Sequence, residues 1–177
     1  MDAASAISVV SILVAALSAL YARQSGRTAQ SALVYQVLVN ALSEYRSLEM
    51  FVAIKSLWRF KREHAGDVAH AYKEQRLKDG LQLESLDPAQ RLAFEQTTIH
   101  YHRRQVSQFY ALLAGLKEQG LPHRNIVYAH WTEADLRIIP EVLVPMEETL
   151  LAALGGPIPP TMLRLKRLYD DCPKTSS

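Results

Sequence analysis

Helical periods recur along this chain and sustained period-2 alternation does not, so the sequence predicts helices and no strands. From Thr28 onward Val34, Val37, Leu38, Ala41, Tyr45 and Leu48 form one apolar stripe at helical spacing. A second helix is expected over about 48–63, carrying Phe51, Val52, Ile54, Leu57, Trp58 and Phe60. Gly66-Asp67 breaks it, and a shorter helix over 67–78 should end near Gly80. Asp87-Pro88-Ala89-Gln90 is the best start signal. Asp can cap free amides, Pro suits the first helical position, and Gln90 can complete a capping box. The spacing predicts one helix from there to Gln119, with Gly120 just past its end and a core stripe of Leu92, Ile99, Val106, Phe109, Tyr110, Leu113 and Leu116.

Pro122 opens a short helix, and Thr132-Glu133-Ala134-Asp135 has the form of another capped start. Pro140 and Pro145 should interrupt the helix begun there, and Gly155-Gly156-Pro157 should stop it. Pro159-Pro160 leads into a last helix over 161–170, and residues 173–177 read as a disordered tail. Roughly five or six helices after residue 23 can share one core. The expected fold class is therefore all-α, with an opening helix continuing into a stalk and then a small helical bundle.

The opening segment carries its own expectation. From Ala3 to Ala22 no residue is charged, and at about 1.5 Å per residue such a helix spans roughly 30 Å, the thickness of a bilayer core. Ile7, Val9, Val10, Ile12, Leu13, Val14, Leu17 and Leu20 together favour insertion by roughly 2–5 kcal/mol. A cleaved signal peptide would need a basic start and a small residue where Leu20 stands, and neither is present. The sequence therefore predicts a transmembrane helix at 3–22, a helical domain at 23–172, and the lipid bilayer as a partner. Arg23 and Arg27 follow the span and Asp2 precedes it, which places the N-terminus outside and the C-terminal domain in the cytoplasm, at the cell inner membrane. Ala4, Ser8, Ser11, Ala15, Ser18 and Ala22 continue into Ser25, Ala29 and Ala32 at alternating four- and three-residue steps. Such a seam lets two helices approach closely and predicts homo-oligomerisation through this segment.

Composition narrows the class without naming a reaction. The chain has 177 residues, enough for about one domain, with 49% hydrophobic and 21% charged residues, which excludes a disordered chain. A single cysteine, Cys172, excludes an intrachain disulfide framework and a cysteine-ligated zinc cage. Twenty basic residues against eighteen acidic ones leave a net charge of +2, too balanced to announce a nucleic-acid partner.

Candidate chemistry is sparse. His100 and His102 are two residues apart and point to different faces of a helix, and His70 with Glu74 supplies only two ligands. No Glu-x-x-His or His-Glu-x-x-His occurs, and glycine-rich phosphate loops and the Gly-x-Ser-x-Gly elbow are absent. The expectation is no metal and no cofactor. Lys55, Arg59 and Arg62 share one helical face with Trp58, and Arg164, Lys166 and Arg167 sit on the final helix. Both read as solvated faces balanced by neighbouring acids.

Arg124-Asn125-Ile126-Val127-Tyr128-Ala129-His130 resembles the Arg-x(4–6)-His motif of the HEPN ribonucleases, all-helical enzymes in which Asn often follows the Arg. The resemblance implies Arg124 as stabiliser of a phosphorane, Asn125 beside it, and His130 as the group that moves protons. The same pattern, with four intervening residues in place of five, recurs from Arg59 to His64. The whole layout is also similar to a group of uncharacterised bacterial single-pass membrane proteins with a small helical cytoplasmic domain. The matching stretches are Ile12 to Arg23, Tyr45 to Met50, Leu57 to Phe60, Arg103 to Tyr110, Leu112 to Ala114 and Gly120-Leu121. They cover most of residues 1–150, are largely apolar and aromatic, and so speak for packing. Two functions are expected from these readings. One is a non-catalytic interaction or scaffold module with a protein partner. The other is a membrane-tethered defence effector, a HEPN-like ribonuclease using Arg124 and His130.

Overall fold

The structure is a computed structural model that describes residues 3–118, 126–155 and 157–174, apart from the side chains of residues 3–20, 27, 30, 34, 153 and 154. The described residues are predominantly helical, with no strand among them, as the periodicity predicts. The chain divides into two units, Met1–Asn40 and Ala41–Ser177.

Helix α1 (Ala3–Tyr45) accounts for the first unit. Ala22, Ser25, Ala29 and Ala32 of the small-residue seam are exposed, while the side chains of Ala4, Ser8, Ser11, Ala15 and Ser18 lie outside the described residues. The expected inner-membrane placement is overturned: among the described residues no helix is long and apolar enough to cross a membrane. In the described part of α1, Arg23, Gln24, Gln36, Asn40 and Glu44 recur too closely for an unbroken apolar span. The side chains of the uncharged run 3–20 fall outside the described set. The transmembrane assignment at 3–22, the external N-terminus and the cytoplasmic side for the rest are therefore withdrawn.

The second unit is a helical bundle. Ser47 starts α2 (Leu48–Glu63) by accepting the amide of Met50 at 3.1 Å. Asp67 starts α3 (Val68–Ser85) by accepting the amide of His70 at 2.9 Å. This helix runs past Gly80 rather than ending there. A helical glycine costs about 1 kcal/mol, and the packing of α3 along α8 outweighs it.

The expected long helix after Asp87 is in fact two. Asp87 caps α4 (Pro88–Thr97) through the amides of Ala89 and Gln90, as the start signal predicts. Thr98 then turns extended, at ψ 149°, and its hydroxyl oxygen accepts the amide of Tyr101, giving α5 (Ile99–Glu118) a start of its own. The break takes α4 off the α5 register. Val106, Phe109, Tyr110, Leu113 and Leu116 are buried as predicted, whereas Leu92 is 64% exposed.

Residues 119–125 lie outside the described residues, and α6 (Ile126–His130) comes after them. Thr132 opens α7 (Glu133–Leu136) with a capping box to Asp135. Pro140 does not break the chain. It lacks an amide hydrogen, and the ladder widens into one π-helical turn, Ile139–Leu143, in which the amide of Val144 reaches the carbonyl of Ile139. Pro145 fits the first turn of α8 (Val144–Leu154), and Gly155 closes that helix in the left-handed region at φ 62°. Last comes α9 (Pro160–Asp170).

Helix α5 is central and packs against α2, α3, α4, α6 and α9. Around it Met50, Leu57, Tyr72, Tyr110, Leu113, Trp131, Ile139 and Met146 are fully buried, each contributing about 1.5–3 kcal/mol of apolar burial. Tyr45 stacks on Phe109 at 5.4 Å and meets Trp131 edge-on at 5.9 Å. Its hydroxyl donates to Asp135 Oδ1 at 3.0 Å, and Tyr110 donates to the carbonyl of Asp135 at 2.8 Å. Burial and the Asp135 carboxylate push the Tyr45 phenol up to about 12. The end of α9 is pinned rather than frayed. Cys172 is buried, which pushes its thiol pKa up. Lys174, within the expected disordered tail, lies 3.6 Å over the Tyr169 ring.

Candidate functional site

Of the HEPN-like residues, Arg124 and Asn125 lie outside the described residues. His130 is exposed at the end of the five-residue helix α6, its ring edge-on to Trp131 at 6.1 Å. The described residues thus bring no second polar side chain of that motif to His130. His70 and Glu74 pair at 3.3 Å on the surface, and no group of three or more His, Cys, Asp or Glu able to hold a metal occurs among the described residues. The basic faces are partly matched by acids: Arg164 meets Glu118 at 3.1 Å and Lys166 meets Glu148 at 2.7 Å. On α2, Lys61 caps the Trp58 ring at 5.1 Å and pairs with Glu141.

The polar chemistry of the bundle lies elsewhere, where α3, α5 and α8 meet. His100, Arg103 and Ser107 fall at i, i+3 and i+7, which puts them on one face of α5. Tyr72 of α3 is fully buried and its hydroxyl lies 2.7 Å from Nδ1 of His100. Arg103, only 5% exposed, pairs with Glu147 of α8 and stands over the Tyr72 ring at 5.9 Å. Ser107 donates to the same Glu147 carboxylate at 3.3 Å.

Burial sets the protonation of this cluster. Desolvation, reinforced by the charges of Arg103, Arg76 and Arg104, lowers His100 to about 4, so the ring is neutral at pH 7. Burial raises the Tyr72 phenol, against the pull of Arg103 and Arg76. At pH 7 the two groups are therefore a neutral phenol and a neutral imidazole sharing one hydrogen bond. Burial also lowers Arg103, and its Nε is buried with no hydrogen-bond partner among the described residues. The groups are mostly spent on one another.

Beside the cluster opens a cleft of about 470 Å³ between α3, α4, α5 and α8. Its wall is mainly Leu77, Gly80, Leu83 and Leu150, with Thr98 and His100 also bordering it, and with the exposed Lys73 and Arg76 on α3. Asp79 borders it too, at 8% exposure. One carboxylate oxygen accepts from Gln75 at 2.8 Å and the other is buried without a partner. Arg103 and Glu147 also border a smaller cavity of about 230 Å³ against Met162 and Leu165 of α9. A cleft of 470 Å³ lies within the roughly 300–1,000 Å³ common for small-molecule sites, and a mainly apolar wall with a few fixed polar groups is their usual make-up.

Sequence reasoning missed this cluster. Its signal was present in α5, where His100, Arg103 and Ser107 form a polar line beside the apolar stripe of Val106, Phe109, Tyr110 and Leu113. Compared with known proteins, the chain matches no family model, no curated protein and no solved structure.

Proposed function

We propose that this chain is a non-catalytic helical interaction module and that it interacts through the cleft between α3, α4, α5 and α8. The observation that carries the reading is the pairing of an apolar cleft with polar neighbours already engaged. Tyr72 holds His100, Glu147 holds Arg103, and Gln75 holds Asp79. Groups committed in this way fix the shape of a binding wall. Proton transfer calls for a group within reach of the reacting atoms and a pKa near the working pH, and His100 is held well below that range.

Gly80 supplies the test. It borders the cleft inside α3, and a Cβ at this position would meet nothing within 4 Å. A Gly80→Phe chain should therefore keep its fold while filling the cleft. Nile red, a neutral apolar dye, should show a saturable site on the wild-type chain that this variant loses. Unchanged dye binding in a folded Gly80→Phe chain would place the interaction surface elsewhere.

A further inference from the structure

We propose that the occupant of the cleft is an amphiphile with a carboxylate head and an unbranched apolar chain, the chain lying along Leu77, Gly80, Leu83 and Leu150 and the head held by Lys73 and Arg76. The proposal rests on the interaction reading above and gives its ligand a chemistry.

The apolar part comes from the wall. Three leucines and a glycine border a space open to solvent, and apolar surface facing water in a concave site gains about 25 cal/mol for each Å² it buries. The glycine leaves room along α3 that any larger residue would occupy.

The head group comes from the charges around the cleft. Lys73 and Arg76 are exposed on α3 and form no ion pair among the described residues. Other cations of the bundle do: Lys61 with Glu141, Arg103 with Glu147, Lys117 with Asp171, Arg164 with Glu118. Arg76 shares the cleft border with His100, whose ring also lies in the field of Arg103 and Arg104 beside the cleft. Two acids oppose them. Asp79 is tied to Gln75 on one oxygen, and its other oxygen is sealed from solvent, so it offers a ligand little. Glu95 of α4 is half-buried on the cleft border and is, among the described residues that line it, the other carboxylate and the one that works against an anionic head. Two unpaired, exposed cations against one available acid favour a carboxylate over an ammonium.

Three probes of equal chain length decide the matter: decanoate, decanol and decylammonium, titrated into the full chain by calorimetry at submicellar concentrations. Decanoate should bind one to one and roughly tenfold more tightly than decylammonium, the scale expected for two partly exposed ion pairs. Lys73→Gln with Arg76→Gln should bring decanoate down to the level of decanol, and Glu95→Gln should strengthen it. Gly80→Phe should block all three, and Leu83→Trp serves the same purpose if that chain does not fold. Decylammonium binding as tightly as decanoate would overturn the carboxylate head and leave the cleft as a binding site. If no probe binds, or if a folded Gly80→Phe chain binds decanoate like the wild type, the interaction reading falls with it.

Discussion

The Tyr72 hydroxyl stands 2.7 Å from Nδ1 of His100 and joins α3 to α5 at the edge of the cleft. Because His100 is held at about 4, the folded chain binds this proton less readily than the unfolded chain, where histidine titrates near 6.5. Linkage fixes the sign. His100 contributes no penalty above about pH 6.5. Below that the unfolded state takes up the proton first, and stability falls as pH drops towards 4. The ring is half-buried rather than sealed, so solvent screening reduces the effect to about 1–2 kcal/mol. Urea titrations at pH 7 and pH 4.5 should show a smaller loss for His100→Asn than for the wild type. Equal losses would mean that the ring is not shielded from protonation.

The Arg103–Glu147 pair is lopsided. Arg103 is 5% exposed with an orphaned Nε, while the Glu147 side chain keeps a quarter of its surface in solvent. Removing the acid leaves a buried cation uncompensated, at a cost of about 3–5 kcal/mol. Removing the cation leaves a carboxylate that water can reach, and it also removes the orphaned donor. Glu147→Leu should therefore destabilise the bundle by clearly more than Arg103→Met in equilibrium unfolding. The reverse order would show that Glu147 is not what balances the guanidinium.

Thr98 ends one helix and begins the next. Its hydroxyl donates to the carbonyl of Glu95 at 2.7 Å and accepts the amide of Tyr101 at 3.2 Å. Thr98→Ala should cost about 0.5–2 kcal/mol, the range for a lost N-terminal cap, and hydrogen exchange should rise at the first amides of α5. Thr98→Ser should restore both, and if it does not, the hydroxyl is not the cause.

That residue also shows where the sequence stops being readable. Asp87, Thr132 and Gly155 announce their turns by local chemistry, a capping oxygen or a backbone free to turn left-handed, so the helix ends they set agree with the pattern. Thr98 lies inside a stretch whose apolar spacing runs on without a glycine or proline, and its capping role exists only with the extended backbone at that residue. The buried stripe of α5 was legible because Val106, Phe109, Tyr110 and Leu113 repeat at the helical period. The cleft was not, because Leu77, Leu83 and Leu150 come from helices far apart in the chain and meet only when α3 and α8 pack on one another. The opening run misled in another way. Its uncharged length suggested a bilayer span, yet no helix among the described residues is long and apolar enough to cross a membrane.

Gly80 offers a prediction in which stability and binding part company. It lies in the interior of α3 at ordinary helical angles, with open space where a Cβ would stand. Gly80→Ala removes conformational freedom from the unfolded chain without straining the folded one, and should stabilise the bundle by about 0.5–1 kcal/mol. One methyl group takes up little of a cavity of about 470 Å³, so dye binding should survive this change although Gly80→Phe abolishes it. The midpoint of urea unfolding should rise at constant slope. A fall in that midpoint would mean that the glycine is needed for a close approach that the open space at its Cβ does not reveal.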